Sequence, residues 1–263
     1  MKALSQRRRH PLAAIALLLM GLLLTGGLYA VASGANEAKA QSSPYTAEDV
    51  EEGKKLFVAN CATCHGMSGQ GTETGPSLVG VGAAAVHFQV GTGRMPLQMQ
   101  GPQAKEKPPQ FNEEETRQMA AYVASLGPGP AIPGEKALDT SDADPGNGGQ
   151  LFRVNCAMCH NAAGAGGALT RGKFAPQLAG VEDVHVYEAM ITGPQNMPVF
   201  NDATISPQGK QDIIAFLNTI ESTPSPGGAD LGSLGPVSEG LFVWTAGLGV
   251  IIAFTIWLTS RSS

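Results

Sequence analysis

Two short stretches decide how this sequence is interpreted: VANCATCHGMSG at residues 58–69 and RVNCAMCHNAAG at residues 153–164. Both contain Asn-Cys-x-x-Cys-His, and together they hold all 4 cysteines of the chain. Each is followed, in the same order, by a Pro-x-Leu segment, a Met-Pro loop and an amphipathic stretch. Four blocks that recur in one order indicate a tandem duplication of a domain.

Each copy is predicted to begin and end with a helix, because apolar residues recur there at helical spacing. Ser206 followed by Pro207 marks the start of the last helix of the second copy. The chain between the helices is rich in Gly and Pro and contains no convincing strand, so the fold class is all-α. The predicted helices lie within 47–61 and 111–126 in the first copy, and within 145–156 and 205–220 in the second.

Each copy has fewer than about 80 residues, and much of it is loop, so its apolar core is small. Domains of this size usually need a disulfide, a metal or a cofactor to be stable. The Gly- and Pro-rich segments 127–145 and 222–240 are expected to be extended, solvated spacers. The insertion at residues 97–109 of the first copy is expected to be a surface loop.

Three chemistries use a C-x-x-C pair. A redox dithiol needs no adjacent histidine, and a structural zinc site needs four ligands at short spacing. Covalent attachment of haem c uses C-x-x-C-H as written, with two thiols for the vinyl groups and an imidazole for the iron. Two covalently bound haems c are therefore predicted, attached through Cys61, Cys64, Cys156 and Cys159, with His65 and His160 as iron ligands.

The repeat also suggests the second axial ligands. Met95 and Met197 each precede a proline in a Gly-containing loop, after the C-x-x-C-H motif and before the last helix. A thioether opposite a histidine is typical of electron-transfer haems. Met99 is an alternative to Met95. His87 and His185 are alternative distal ligands, but they occupy different places in the repeat and are expected to be structural or surface residues.

The whole chain carries a net charge of −5, and between residues 33 and 236 it has 12 Lys and Arg against 21 Asp and Glu. An acidic body excludes nucleic acid as the expected partner, because phosphates need a basic surface. It suits a basic partner or simple solubility.

Hydrophobic segments flank the duplicated region. Residues 1–10 form a basic tail, and the uncharged residues 11–32 are long enough to cross a membrane, although a signal peptide cleaved near Ala40 is the alternative. Residues 241–258 are apolar and precede Arg261, which favours a second transmembrane helix. Arginines in both tails predict cytoplasmic termini and an extracytoplasmic middle in a multi-pass protein of the cell membrane, in contact with lipid.

With these residues assembled, each unit resembles a class I cytochrome c domain. The resemblance implies that Pro76 and Pro176 offer their carbonyls to the ligand histidines. It also implies that the first helix crosses the last at a glycine and packs a phenylalanine on an aromatic ring. The matching residues are Gly53, Phe57 and Tyr122 in the first domain, and Gly148, Phe152 and Phe216 in the second.

Two such domains between terminal hydrophobic segments resemble the dihaem cytochrome c subunit of the actinobacterial cytochrome bc1 (menaquinol–cytochrome c reductase) complex. That family implies an electron-transfer subunit of a translocase, which accepts electrons from a Rieske iron–sulfur protein beside a cytochrome b. Quinol oxidation would belong to these partner subunits. The electrons would pass on to an aa3-type oxidase in a supercomplex. The order of the haems stays open. Alternatives are a dihaem subunit of a cbb3-type oxidase, a dihaem peroxidase and a structural tether. The predicted organisation is tail 1–10, membrane segment 11–32, cytochrome c domains 44–126 and 144–221, linkers 127–143 and 222–240, and transmembrane helix 241–258.

Overall fold

The computed structural model of the chain describes residues 11–37, 45–223 and 236–261. Its first unit contains helix α1, Pro11–Glu37. Within α1 the apolar stretch with described side chains is Ile15–Gly27, which is shorter than a bilayer-crossing helix needs. A membrane span over residues 11–32 therefore stays a prediction. The basic tail, the proposed cleavage site and most of the 222–240 linker lie outside the described residues.

The first cytochrome c-like domain is built from four helices and the long loops on either side of the third. Its last helix begins with a capping box, in which Asn112 and Glu115 each accept a hydrogen bond from the other's backbone N–H. The two terminal helices run in the predicted places. The helices are α2, Ala47–Asn60; α3, Ala62–His65; α4, Gly82–Gly91; and α5, Glu113–Ser125.

Helices α2 and α5 cross at Gly53. A Cβ atom at this position would overlap the carbonyl oxygen of Gln118 on α5, so only glycine permits the close approach. One turn further, Phe57 is 1% exposed and packs on Tyr122, with ring centroids 5.1 Å apart. The predicted crossing and aromatic pair are both present in the first domain.

The second domain repeats the plan. A Cβ atom at Gly148 would overlap the carbonyl oxygen of Asp212, and the ring centroids of Phe152 and Phe216 lie 5.5 Å apart. Ser206 caps the last helix by accepting a hydrogen bond from the backbone N–H of Gly209, as its sequence predicts. The helices are α7, Pro145–Asn155; α8, Ala157–His160; α9, Asp183–Thr192; and α10, Pro207–Ser222.

A short ribbon departs from the expectation of no strand. Strand β1, Gly167–Ala168, pairs antiparallel with β2, Phe174–Ala175, around a 3-10 turn at Thr170–Gly172. Arg171 adopts a φ of 60° in this turn. The pairing is only two residues long, so no alternating pattern marks it in the sequence, and the domain remains essentially helical.

The segment between the domains is packed, contrary to the expected solvated spacer. Pro130 accepts a hydrogen bond from the backbone N–H of Ala84, at 3.1 Å. A short helix, α6 at Glu135–Leu138, follows, and its Ala137 and Leu138 pack against the core of the second domain. A sequence rich in Gly and Pro can follow a protein surface closely because it carries few bulky side chains.

Helix α11, Pro236–Ser260, ends the described chain. Its portion Glu239–Ser260 is long and apolar enough to cross a membrane, and none of it is buried in the protein. The Arg261 guanidinium lies 4.9 Å from the centroid of the Trp257 ring. An aromatic ring and a cation at the end of an apolar helix are typical of a membrane–water boundary.

Candidate haem sites

The two C-x-x-C-H motifs adopt the same local structure. Each first cysteine directly follows a long helix, and the next residues form one tight turn, α3 or α8. The backbone N–H of His65 donates to Cys61 O at 3.0 Å, and that of His160 to Cys156 O at 2.9 Å. The turn brings both thiols and the imidazole of each motif into one short segment.

A proline carbonyl orients each motif histidine. His65 Nδ1 lies 2.8 Å from Pro76 O, and His160 Nδ1 lies 3.0 Å from Pro176 O. A carbonyl can only accept, so Nδ1 carries the proton and Nε2 keeps its lone pair for a metal. Burial lowers the pKa of His160, and the hydrogen bond to Pro176 only partly offsets this. The imidazole is therefore neutral at pH 7, as a ligand must be.

The thiols do not have the character of a redox dithiol. Burial raises the pKa of Cys61 to about 11, with a smaller contribution from Cys64. Burial also raises the pKa of Cys156 to about 11, with Cys159 contributing less. A disulfide oxidoreductase needs a thiol whose pKa is lowered, because the thiolate is its nucleophile. The local environment therefore disfavours dithiol chemistry at both motifs.

The candidate methionines differ in exposure. Met99 is 78% exposed and lies in the 97–109 insertion, whereas Met95 is partly buried, and its backbone N–H donates to Gln89 O. Met197 is also partly buried. Only a shielded thioether can serve an iron held inside the protein, so the structure favours Met95 over Met99.

A cavity that is partly open to solvent lies in the second domain. Its walls are mainly apolar and include Phe152, Leu178 and Leu217. The predicted site residues Cys156, Cys159, His160, Pro176 and Met197 all line it. Sulfur and imidazole groups collected in one apolar cavity fit a covalently held haem, whose ring is apolar and whose iron takes these ligands.

A buried polar cluster joins the two domains. Glu188 is fully buried on α9, and its two oxygens lie 2.7 Å from His87 Nδ1 and 2.9 Å from His185 Nδ1. His87 Nε2 also lies 3.1 Å from a Glu113 oxygen. Burial lowers the pKa of His87, but its two carboxylate partners outweigh burial and raise the pKa overall. His87 and His185 are structural, as expected, but no pattern in the sequence indicates that they meet.

The 97–109 insertion is exposed over most of its length, as expected of a surface loop, and it also forms a second junction between the domains. The Gln103 side-chain amide donates to Phe174 O at 2.9 Å and accepts from Phe174 N at 2.8 Å. The Gln195 amide makes the same double contact with the backbone of Ala104, at 2.9 and 3.1 Å. The insertion belongs to one copy only, so a comparison of the two copies cannot reveal its partner.

Comparison with known proteins agrees with this construction. Residues 50–127 match the family described as Cytochrome c, and residues 143–217 match Cytochrome C oxidase, cbb3-type, subunit III. The cytochrome bc1 complex cytochrome c subunit of Corynebacterium efficiens is 49% identical over 228 residues, which cover 81% of this chain and 77% of that one. The chain belongs to the family of cytochrome bc1 complex cytochrome c subunits. Haem c, covalently bound, is the cofactor of cytochrome c domains.

Other members of this family match over nearly the full length. The cytochrome bc1 complex cytochrome c subunit of Corynebacterium diphtheriae is 42% identical over 279 aligned positions, covering 99% of both chains.

A subunit of another complex is also similar. The cbb3-type cytochrome c oxidase subunit FixP from Sinorhizobium medicae is 30% identical over 139 residues, covering 49% of this chain and 44% of that protein. The resemblance to the bc1 family is confirmed, and the cbb3 similarity is confined to about half of the chain.

Proposed function

We propose that this chain is the dihaem electron carrier of a cytochrome bc1 complex, with one haem c in each domain. Cys61 and Cys64 would hold the first haem and Cys156 and Cys159 the second. His65 and His160 would be the proximal ligands and Met95 and Met197 the distal ligands. Haem c, when bound with His and Met ligands, supplies a one-electron Fe(III)/Fe(II) couple of raised potential.

The residues of this chain prepare each site for that couple. The carbonyls of Pro76 and Pro176 keep each imidazole in one tautomer and one orientation. The mainly apolar wall of the cavity in the second domain offers a bound haem few polar groups, which would limit the change in solvation when the charge of the site changes. With a histidine and a methionine available in each domain, a bound haem would have no open position for peroxide, which argues against the dihaem peroxidase alternative.

The docking of the two domains is the single observation that carries the proposal. Helices α4 and α9 meet through His87, Glu188 and His185, and the Gln103 and Gln195 amides join the domains at the rim. Two sites fixed in one body need no diffusing carrier between them, because the linkage sets a high effective concentration. A relay through one chain is the function that this arrangement serves.

The partners are inferred from the relatives. Proteins named as bc1 complex cytochrome c subunits match 81% and 99% of this chain, which supports a cytochrome b and a Rieske protein as partners, with the Rieske protein as the electron donor. An aa3-type oxidase in a supercomplex is the proposed acceptor. Helix α11 supports a membrane location, with the haem domains proposed on the extracytoplasmic side of the cell membrane and both termini cytoplasmic.

A cbb3-type oxidase is the second candidate destination. The match of residues 143–217 to subunit III of that oxidase favours it, as does the similarity to FixP. The subunit III match ends at residue 217, before α11, and the FixP similarity covers 49% of the chain, whereas the bc1 relative from Corynebacterium diphtheriae covers 99%. The bc1 assignment therefore explains more of the molecule.

Purification of the affinity-tagged full-length chain from its own membranes tests both assignments. We expect a cytochrome b, a Rieske protein and an aa3-type oxidase to copurify, and a pyridine haemochrome assay to give two haems per chain. Recovery of a cbb3 catalytic subunit without cytochrome b would favour the second candidate. Fewer than two haems would exclude the relay. The Cys156→Ala/Cys159→Ala variant should retain one haem, and Met99→Leu, as the matched control, should retain two.

A further inference from the structure

Arg94 belongs to the first domain, yet it lines the cavity of the second. It lies three residues beyond the end of α4, directly before Met95, and its guanidinium carbon lies 4.8 Å from the centroid of the Phe88 ring. Only 8% of the residue is exposed. Arg94 and Phe88 share the cavity with His160 and Met197, so a cation from one domain borders the candidate haem site of the other.

The guanidinium is only partly paired. Its Nη2 lies 3.1 Å from a carboxylate oxygen of Glu106, whose side chain is 58% exposed. Its Nη1 is buried and has no hydrogen-bond partner in the part of the chain that the structure describes. A buried donor on a cation without a partner is costly, so such a group normally serves a ligand or an ion pair.

The other polar side chains at the rim of this cavity are already paired. Lys173 Nζ lies 2.7 Å from Asn196 Oδ1, and the amides of Gln103 and Gln195 are occupied by backbone groups across the domain junction. His185 Nδ1 lies 2.9 Å from a carboxylate oxygen of Glu188 and is hydrogen-bonded there. Among these lining groups, Arg94 is the one that combines a positive charge with an unpaired buried donor.

We infer that Arg94 binds a carboxylate of the haem in the second domain, so that the first domain completes the second haem site. The inference rests on the proposed function, since it requires a haem there. Haem carries two propionate carboxylates, and a guanidinium fork is the protein group best suited to a carboxylate, with Nη1 available to donate. Arg94 acts as a binding residue for the second haem through its side chain, while its neighbour Met95 is the proposed ligand of the first.

The charge of Arg94 gives this contact a measurable consequence. A nearby cation favours the form of the haem that holds the extra electron, so Arg94 raises the reduction potential of the second haem. Burial lowers the pKa of Arg94, and Glu106 opposes that change, but an arginine stays charged at pH 7. Its effect is therefore constant over the physiological pH range.

A redox titration of the purified, haem-loaded full chain tests the inference. We expect Arg94→Gln to retain two haems and to lower the reduction potential of the second. The equilibrium constant for its reduction should fall roughly tenfold, which corresponds to about 59 mV for a one-electron couple. Arg94→Lys keeps the charge but loses the fork, so its shift should be smaller. Should Arg94→Gln fail to fold, the lysine variant still reports a downward shift. The Cys156→Ala/Cys159→Ala variant identifies the transition of the first haem.

Glu106→Gln is the matched control, because it removes the competing carboxylate and leaves Arg94 in place. The second potential should then stay or rise. The inference is overturned if two haems are present and both Arg94 variants leave the second transition unchanged, or move only the first, as they would if Arg94 acted through Met95. Fewer than two haems in the unsubstituted chain would instead overturn the proposed function, and the inference with it.

Discussion

Replacing Gly148 by alanine tests whether the helix crossing is what positions the second domain. At an open helix position, Gly→Ala stabilises by up to about 1 kcal/mol. Here the new Cβ would overlap the carbonyl oxygen of Asp212 and lie 2.9 Å from the backbone nitrogen of Ile213. Both are backbone atoms that cannot move alone, so α7 and α10 must separate and loosen the Phe152–Phe216 contact.

Overpacking of this kind typically costs about 1–3 kcal/mol. For a domain of 60–100 residues each kcal/mol changes Tm by about 4–8 °C, so Gly148→Ala should lower Tm by roughly 4–24 °C. Scanning calorimetry of the haem-loaded full chain in detergent measures this. Gly134→Ala is the matched control, because its Cβ would meet nothing within 4 Å and its φ of −80° accepts alanine. An unchanged or raised Tm in Gly148→Ala would refute the crossing argument.

Three further predictions concern single side chains. Burial raises the pKa of Asp212, but the hydrogen bonds that its carboxylate accepts outweigh burial and lower the pKa overall. The ionised carboxylate therefore stabilises the fold above pH 3.8, and this stabilisation is lost as pH falls further. Asp212→Asn should lower the free energy of unfolding by about 1–3 kcal/mol at pH 7, and by less in unfolding curves measured in acid. A loss of stability that does not depend on pH would contradict this prediction. Because its pKa is raised in the folded state, His87 stabilises the fold fully below pH 6.5, and this stabilisation is lost as pH rises through the folded pKa. Glu113→Gln should lower the pKa of His87 in an NMR titration, and an unchanged pKa would count against the His87–Glu113 contact. In a redox titration, Met95→Leu should lower the reduction potential of one haem, because a thioether ligand is lost, while Met99→Leu should leave both potentials unchanged. The reverse result would make Met99 the ligand in place of Met95.

Local signals in the sequence predict the local structure well. The apolar spacing around Phe57 and Phe152 reports a helix because a buried face recurs every three to four residues. Ser206-Pro207 marks a helix start because the serine oxygen satisfies a backbone donor there. The repeat identifies the two Pro-x-Leu segments as equivalent, and the resemblance to class I cytochrome c domains implies the carbonyls beside His65 and His160. These features depend on residues close together in the sequence, so a single sequence contains them.

The contact between the domains could not be predicted in this way. His87 and Glu188 are 101 residues apart and act through complementary charge, which leaves no periodic pattern. Gln103 lies in an insertion that the second copy lacks, so its partner Phe174 has no counterpart to suggest it. A useful signal was nevertheless present: polar residues in otherwise apolar helices, found in one copy and not the other, are candidates for the contact between copies.

The helices that meet across this junction are the same element of the two copies. With Thr92 aligned to Thr192, His87 of α4 corresponds to Tyr187 of α9, and Phe88 to Glu188. The pairing of one element with its own duplicate resembles the isologous contact of a twofold homodimer, which closes at two subunits and cannot extend. The gene duplication has in effect covalently fused a dimer. The two halves differ at the shared surface, because α9 carries Glu188 and His185 whereas α4 carries His87, so the paired elements are no longer identical.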